Sequence, residues 1–174
     1  DLVRSRGLGD VYKRQVVERE ERCGGLLTYG IPNMKLPKDI VQRRVDLMTD
    51  EGVSFVNGVD ASDPAVARRL LGDYDAVILC CGAERPRSLG LETEGVSGVC
   101  YGTEFLKAAV ESRQFGKTAP AALSAEGRDV VIVGTGDTAG DCVATALRQG
   151  CRSVVQLVRR PEADYLKNGV LPQD

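Results

Sequence analysis

The feature that most constrains this chain is a glycine turn set between a strand and a helix. Asp129–Val133 (DVVIV) is an apolar run of strand length, and it leads directly into Gly134-Thr135-Gly136-Asp137-Thr138-Ala139-Gly140. A helical pattern follows to about Gln149, Gly150 stops it, and Ser153–Val158 reads as the next strand. Strand, G-x-G-x-x-A, helix, strand is the layout of a dinucleotide-binding β–α–β unit, in which each small residue has a task. Gly134 lets the chain turn tightly out of the strand. Gly136 has no Cβ, so a pyrophosphate can come close to the backbone. Ala139 and Gly140 let the helix lie near the sheet. The pyrophosphate would face the N–H groups at the helix start, at the positive end of the helix dipole, with Asp137 and Thr138 in that first turn. A tight turn with no ligand is the plainer reading of the same residues. The second strand, arriving at the expected distance, favours the binding one.

The end of that second strand bears on the kind of nucleotide. A site for NAD places an acid there for the ribose 2′-hydroxyl, whereas a 2′-phosphate calls for arginine. This chain has Arg159-Arg160 and no acid before Glu162. A guanidinium fork matches phosphate oxygens, and a hydrogen bond to a charged group contributes about 1.5–3 kcal/mol. The pair therefore points to NADPH; a solvated basic strand end is the other reading.

The rest of the chain repeats the rhythm of short apolar runs and amphipathic stretches, which is an α/β pattern with parallel strands and helices on both faces. Val16-Val17-Glu18 reads as the tail of a strand ending in an acid, and a glycine-rich loop runs from Cys23 to Pro32. A helix fits Lys38 to Glu51, with Ile40, Val41, Val45 and Met48 on one face and Gly52 as its stop. Val53–Val56 reads as a strand, Ala65–Leu71 as a short helix, and the wholly apolar Ala76–Cys81 as a strand covered on both faces. Thr103 is placed to cap a helix ending near Ser112, followed by a loop from Arg113 to Gly127.

Composition narrows the functions. With 43% hydrophobic residues, 28% charged residues and a net charge of −2, the 174 residues suit a globular protein. No basic patch marks a nucleic-acid partner, and no apolar run is long enough to span a bilayer as a helix. The chain has no histidine, and its six cysteines, Cys23, Cys80, Cys81, Cys100, Cys142 and Cys151, include no Cys-x-x-Cys pair. They read as reduced thiols in a cytoplasmic protein, and no metal site is expected. Without the commonest general base, any chemistry falls to a bound cofactor, and no catalytic acid, base or nucleophile is assigned.

Glu18, at a strand end, stands where such units place the acid for an adenosine ribose; on spacing alone it reads more readily as a surface acid. Gly24-Gly25-Leu26-Leu27 and Tyr29-Gly30-Ile31-Pro32-Asn33-Met34-Lys35 change that reading. This block resembles the small subunit of NADPH-dependent glutamate synthase, within the flavoproteins that carry an NADPH domain inserted in an FAD domain. The resemblance runs from about Val16 to Arg160. Dihydropyrimidine dehydrogenase and the ferredoxin-dependent NADPH transhydrogenases are relatives of that family, and either activity is an alternative, as is a nucleotide-binding module without chemistry.

The resemblance implies an FAD site formed by Glu18, Arg19, Gly24, Gly25, Leu26, Leu27 and Lys35, with the backbone of Ala61 beside the adenine and Cys81 and Gly82 passing the cofactor. Cys80-Cys81 stands where the family has Ala-Thr, so the hydroxyl's hydrogen bond is lost; strand filler is the plainer reading of both thiols. It also implies that Gly134, Gly136, Asp137, Thr138, Ala139, Arg159 and Arg160 hold NADPH, and that electrons leave through 4Fe–4S clusters to a large glutamate synthase subunit. No ligands for those clusters occur in this chain.

Three segments are expected: a non-native lead-in over 1–15, part of an FAD-binding domain over 16–86, and part of an NADPH-binding domain over 87–174. Both ends read as cut. The strands then lack neighbours, and the chain by itself is expected to fold poorly and to have little activity.

Overall fold

The computed structural model describes residues 14–83, 86 and 96–158. It divides into two compact units, Asp1–Leu91 and Glu92–Asp174. Each is built around one pair of parallel strands joined through a helix.

In the first unit, β1 (Arg14–Glu18) pairs with β2 (Val53–Asn57) in the register Arg14↔Val53 to Glu18↔Asn57. β1 thus begins inside the segment read as a non-native lead-in, because Arg14 and Gln15 are in register with Val53 and Ser54. The connection holds a short α1 (Leu26–Tyr29) within what reads as a glycine loop, and then α2 (Lys38–Asp50). Gly52 follows α2 at φ +86, the left-handed stop expected of it. Val41 is buried and Val45 and Met48 are half-buried, but Ile40 is 51% exposed. Residues 41, 45 and 48 share a face at helical spacing, and residue 40 sits about 100° away from that stripe.

α3 (Pro64–Asp73) is longer than its apolar pattern indicates. Asp63 Oδ1 accepts from the N–H groups of Ala65 (2.7 Å) and Val66 (3.4 Å), and Pro64 needs no acceptor for the hydrogen it lacks. The largest departure is Ala76–Cys81, which is not a strand: Ile78 and Leu79 are 84% and 80% exposed. An apolar run becomes a strand only where a neighbour accepts its backbone groups, and among the described residues none does.

In the second unit, α4 (Gly102–Phe115) starts earlier and ends later than expected. Tyr101, not Thr103, is the N-cap. Glu104 Oε2 reaches back to the Tyr101 N–H (3.2 Å), so Thr103 already lies inside the first turn. A short 3-10 helix, Ala121–Leu123, follows. β3 (Asp129–Val133), α5 (Asp137–Gln149) and β4 (Ser153–Leu157) match the pattern closely, and Gly150 caps α5 at φ +82. β3 and β4 are parallel, from Asp129↔Ser153 to Val133↔Leu157.

Phe105, Leu106, Ala125, Cys142 and Ala146 form the core of this unit, with Val130, Ile132 and Cys151 against it. Helix α5 thus covers one sheet face, with α4 packed on α5. Val131, Val133, Val155 and Leu157, at alternate positions along the strands, are exposed. At Gly102 a Cβ would lie 3.1 Å from Cys142 Sγ and 3.3 Å from Thr138 Cγ2, so the glycine sets how closely the start of α4 approaches α5.

Cys142 shows how well this core excludes water. Burial first, then the neighbouring Cys100 and Asp141, push its thiol up to about 11. Since the thiolate is the nucleophile, Cys142 should remain unalkylated by iodoacetamide at pH 8 while the exposed Cys80 and Cys81 are modified; peptide mass mapping checks this. The sign for stability follows. A thiol with a raised folded pKa ionises first in the unfolded chain, so this contribution is present below about pH 8.5 and declines as pH rises toward 11.

Candidate functional site

The glycine turn of the second unit joins β3 to α5. Gly134 adopts φ +133, a conformation that side chains rarely allow, and its N–H donates to the Leu157 carbonyl at 3.1 Å. Ala139 is buried, and its Cβ lies 3.7 Å from where a Cβ on Gly134 would stand, so the third small residue packs under the turn. The Gly136 carbonyl accepts from the N–H groups of Ala139 (2.9 Å) and Gly140 (3.2 Å) and so closes the first turn of α5.

Gly136 differs in kind. Its φ of −81° and ψ of 176° suit any residue, and a Cβ built there meets no atom within 4 Å. Among the described residues, neither backbone conformation nor packing requires a glycine at this position. Gly136 is the N-cap of α5, so its open side adjoins the N–H groups at the helix start. Asp137 and Thr138 are exposed on the same turn. Gly140 has equally open surroundings, so it is not what brings α5 to the sheet; Ala139 does that. Arg159 and Arg160 lie outside the described residues, two and three positions past the end of β4.

The first unit builds its cluster at the carboxyl end of β1. Glu18 is half-buried; its carboxylate accepts from the Glu20 N–H (3.0 Å), and its carbonyl accepts from Val59 N–H (3.0 Å). The Glu20 carbonyl accepts from Gly58 N–H (3.1 Å), so the turn after β2 docks on the segment after β1. Ala61 follows two residues later, past Asp60. The Ser62 N–H, bound to the Asp60 carboxylate at 2.8 Å, is the main cause of that acid's lowered pKa. Arg19 makes an exposed ion pair with Glu20 at 3.6 Å.

The loop from Arg22 to Gly25 is held from below. Tyr29 Oη accepts from the Arg22 N–H (3.1 Å), and Thr28 Oγ1 donates to the Cys23 carbonyl (2.6 Å). Gly24 has φ +109, and a Cβ there would collide with Thr28 Oγ1 and approach Val41 Cγ1 to 2.9 Å. Its need for glycine is therefore internal packing, whereas Gly25, at φ +50, opens on empty space. Leu26 and Leu27 are exposed, and Lys35 lies in the turn whose N–H bonds the Pro32 carbonyl (3.0 Å). Cys81 and Gly82 belong to the exposed run after Asp75, and no hydrogen bond among the described residues ties them to this cluster.

Two residues that pattern reading passed over complete the cluster. Asn57, at the end of β2, accepts from Cys23 Sγ (2.9 Å) and donates to the Glu21 carbonyl (3.2 Å), tying the loop to the sheet. Burial, and then the Glu18 charge, raise the Cys23 pKa. Lys38 Nζ donates to the carbonyls of Leu27 (2.7 Å) and Ile31 (2.5 Å), and burial lowers its pKa. The signal was available: a cation in the first turn of a helix opposes the dipole, so it should have another task. Among the described residues no His, Cys, Asp or Glu side chains gather as a metal-ligand set, and no helix is long and apolar enough to cross a membrane.

Two β–α–β units, each with a glycine-dependent turn at the carboxyl end of its first strand, define the α/β Rossmann-like fold of the FAD/NADP oxidoreductases. FprA of Mycobacterium tuberculosis, solved in complex with NADPH, superposes with a TM-score of 0.64 at 20% identity, over 92% of this chain and 41% of its own. In sequence, the chain is similar to glutamate synthase (NADPH) small chains over the segment it spans. It is 45% identical over 155 residues to the one from Bacillus subtilis (strain 168), covering 84% of this chain and 30% of that one. It is 40% identical over 152 residues to that of Escherichia coli (strain K12), covering 86% and 32%. The chain thus spans about a third of the length of these relatives. No family model matches.

Proposed function

We propose that this chain is the nucleotide-holding part of an NADPH-oxidising flavoprotein that delivers electrons for glutamate synthesis, as the small subunit of glutamate synthase does. The open space over Gly136 carries this reading, because it leaves a helix N-terminus accessible where nothing in the chain requires a glycine. Gly134, Gly136, Asp137, Thr138 and Ala139 form the turn that receives the pyrophosphate of NADPH, and Arg159 and Arg160 receive its 2′-phosphate. Glu18, Arg19, Gly24, Gly25, Leu26, Leu27, Lys35, Ala61, Cys81 and Gly82 serve FAD. When bound, the nicotinamide supplies a hydride and the flavin accepts it; the chain's own residues bind and orient. The protein works in the cytoplasm with a large glutamate synthase subunit, and iron–sulfur clusters held elsewhere in the full-length protein carry the electrons onward.

The full-length protein that contains this chain tests the reading directly. It should purify yellow and reduce a dye with NADPH. Colourless protein with affinity for neither dinucleotide overturns the proposal. Replacing Arg159 and Arg160 by alanine should lower kcat/KM for NADPH by about tenfold or more, as loss of charge-assisted hydrogen bonds implies, with little change for NADH. An unmoved NADPH/NADH ratio would rule out their role.

A further inference from the structure

We infer that Gln156 is a positioning residue for the dinucleotide turn; this rests on reading that turn as a pyrophosphate site. Gln156 lies on β4, one residue before its end, and its Nε2 donates to the Gly134 carbonyl at 2.7 Å. The neighbouring Leu157 carbonyl accepts the Gly134 N–H at 3.1 Å. Both polar groups of Gly134 are thereby held by β4, one by backbone and one by this side chain.

The direction of these bonds matters. The described residues contain no cis peptide, so the Gly134–Thr135 peptide is trans, and its carbonyl and its N–H point opposite ways. Holding the carbonyl toward Gln156 aims the Thr135 N–H away from β4. Without the carboxamide, Gly134 has the freedom of any glycine to rotate this peptide, and the donor would be lost from its place. Pre-set donors are what a helix-start anion site depends on, since ordering them during binding would subtract from affinity.

The placement of the side chain supports a specific task. Gln156 is in register with Ile132 but is itself exposed, so its amide could be satisfied by water alone. Its carboxamide instead lies on the Gly134 carbonyl, across the strand pair and 22 residues away in sequence.

The test uses the full-length protein with its flavin bound. The probe is ADP-ribose, which carries the pyrophosphate but no nicotinamide and no 2′-phosphate, titrated by calorimetry. Gln156→Leu should weaken ADP-ribose and its 2′-phosphorylated form equally, by about threefold to tenfold, the range of one neutral hydrogen bond. Flavin content should be unchanged. Gln156→Glu should be weakened at pH 8, where an ionised carboxylate faces the Gly134 carbonyl. It should begin to recover toward wild type as pH falls through about 4.3, where an exposed glutamate carboxyl regains a hydrogen to donate, while wild type shows no such trend. Wild-type affinity in Gln156→Leu, or a Gln156→Glu deficit that ignores pH, overturns the inference. If the leucine variant does not fold, the pH trend alone decides. Failure of wild type to bind the probe would instead sink the reading of the turn itself.

Discussion

Gly24→Ala should unfold the first unit or leave it only marginally folded. Two penalties add at this residue. Its φ of +109 lies where an L-residue is strained, at about 1–2 kcal/mol. The new methyl would also press on Thr28 Oγ1 and Val41 Cγ1, both in the packed interior of the unit, where overpacking costs about 1–3 kcal/mol. Relief by movement is restricted, because Thr28 Oγ1 is itself committed to the Cys23 carbonyl and Val41 anchors α2. The combined cost, about 2–5 kcal/mol, is a large part of an ordinary domain's stability. A urea unfolding curve followed by circular dichroism reads it as a lower midpoint. Gly25→Ala gives the contrast: strain at φ +50 but no collision, and so a smaller shift. Equal effects at the two glycines would show that packing under Gly24 is not the reason for its identity.

Gly136→Ala should do the opposite, leaving the fold intact and removing the nucleotide. At φ −81 alanine is at ease, and the open surroundings receive its methyl without contact. Residue 136 caps α5 through its backbone carbonyl, which accepts from Ala139 and Gly140, so the exchange keeps the hydrogen bonds that start the helix. On the proposed reading, the same methyl would stand in the space that the pyrophosphate takes. An intrusion costing about 1–3 kcal/mol corresponds to a loss in NADPH affinity of about 5- to 150-fold. Calorimetric titration of the full-length protein, beside its thermal midpoint, separates the two effects. Unchanged affinity would mean that the space over Gly136 is not where the dinucleotide lies.

These two glycines also show what pattern reading can and cannot reach. Both stand in recognisable glycine motifs, and the sequence assigns both to close approach by a cofactor. Only the surroundings separate them: Gly24 faces the interior of its own unit, and Gly136 faces outward. The strands Asp129–Val133 and Ser153–Leu157, and the helix between them, were legible because apolar period, strand length and a left-handed glycine stop are local signals. So was α2 with Gly52.

Ala76–Cys81 was misread because an apolar run carries no record of whether a neighbouring strand will accept its hydrogen bonds. Thr103 was a sound cap by type, but Glu104 folds back on Tyr101 and starts the helix earlier. Lys38, Asn57 and Gln156 were passed over, since each acts on a carbonyl or thiol distant in sequence.

By itself, then, the order of residues determined the elements, their period and the two glycine turns of an α/β chain, because backbone preference and amphipathic spacing act over a few residues. Tertiary structure alone decided which glycine supports packing and which leaves room, and which side chains hold the turns in place. Those are questions of what lies within 4 Å of an atom, and the atoms concerned come from parts of the chain that only folding brings together.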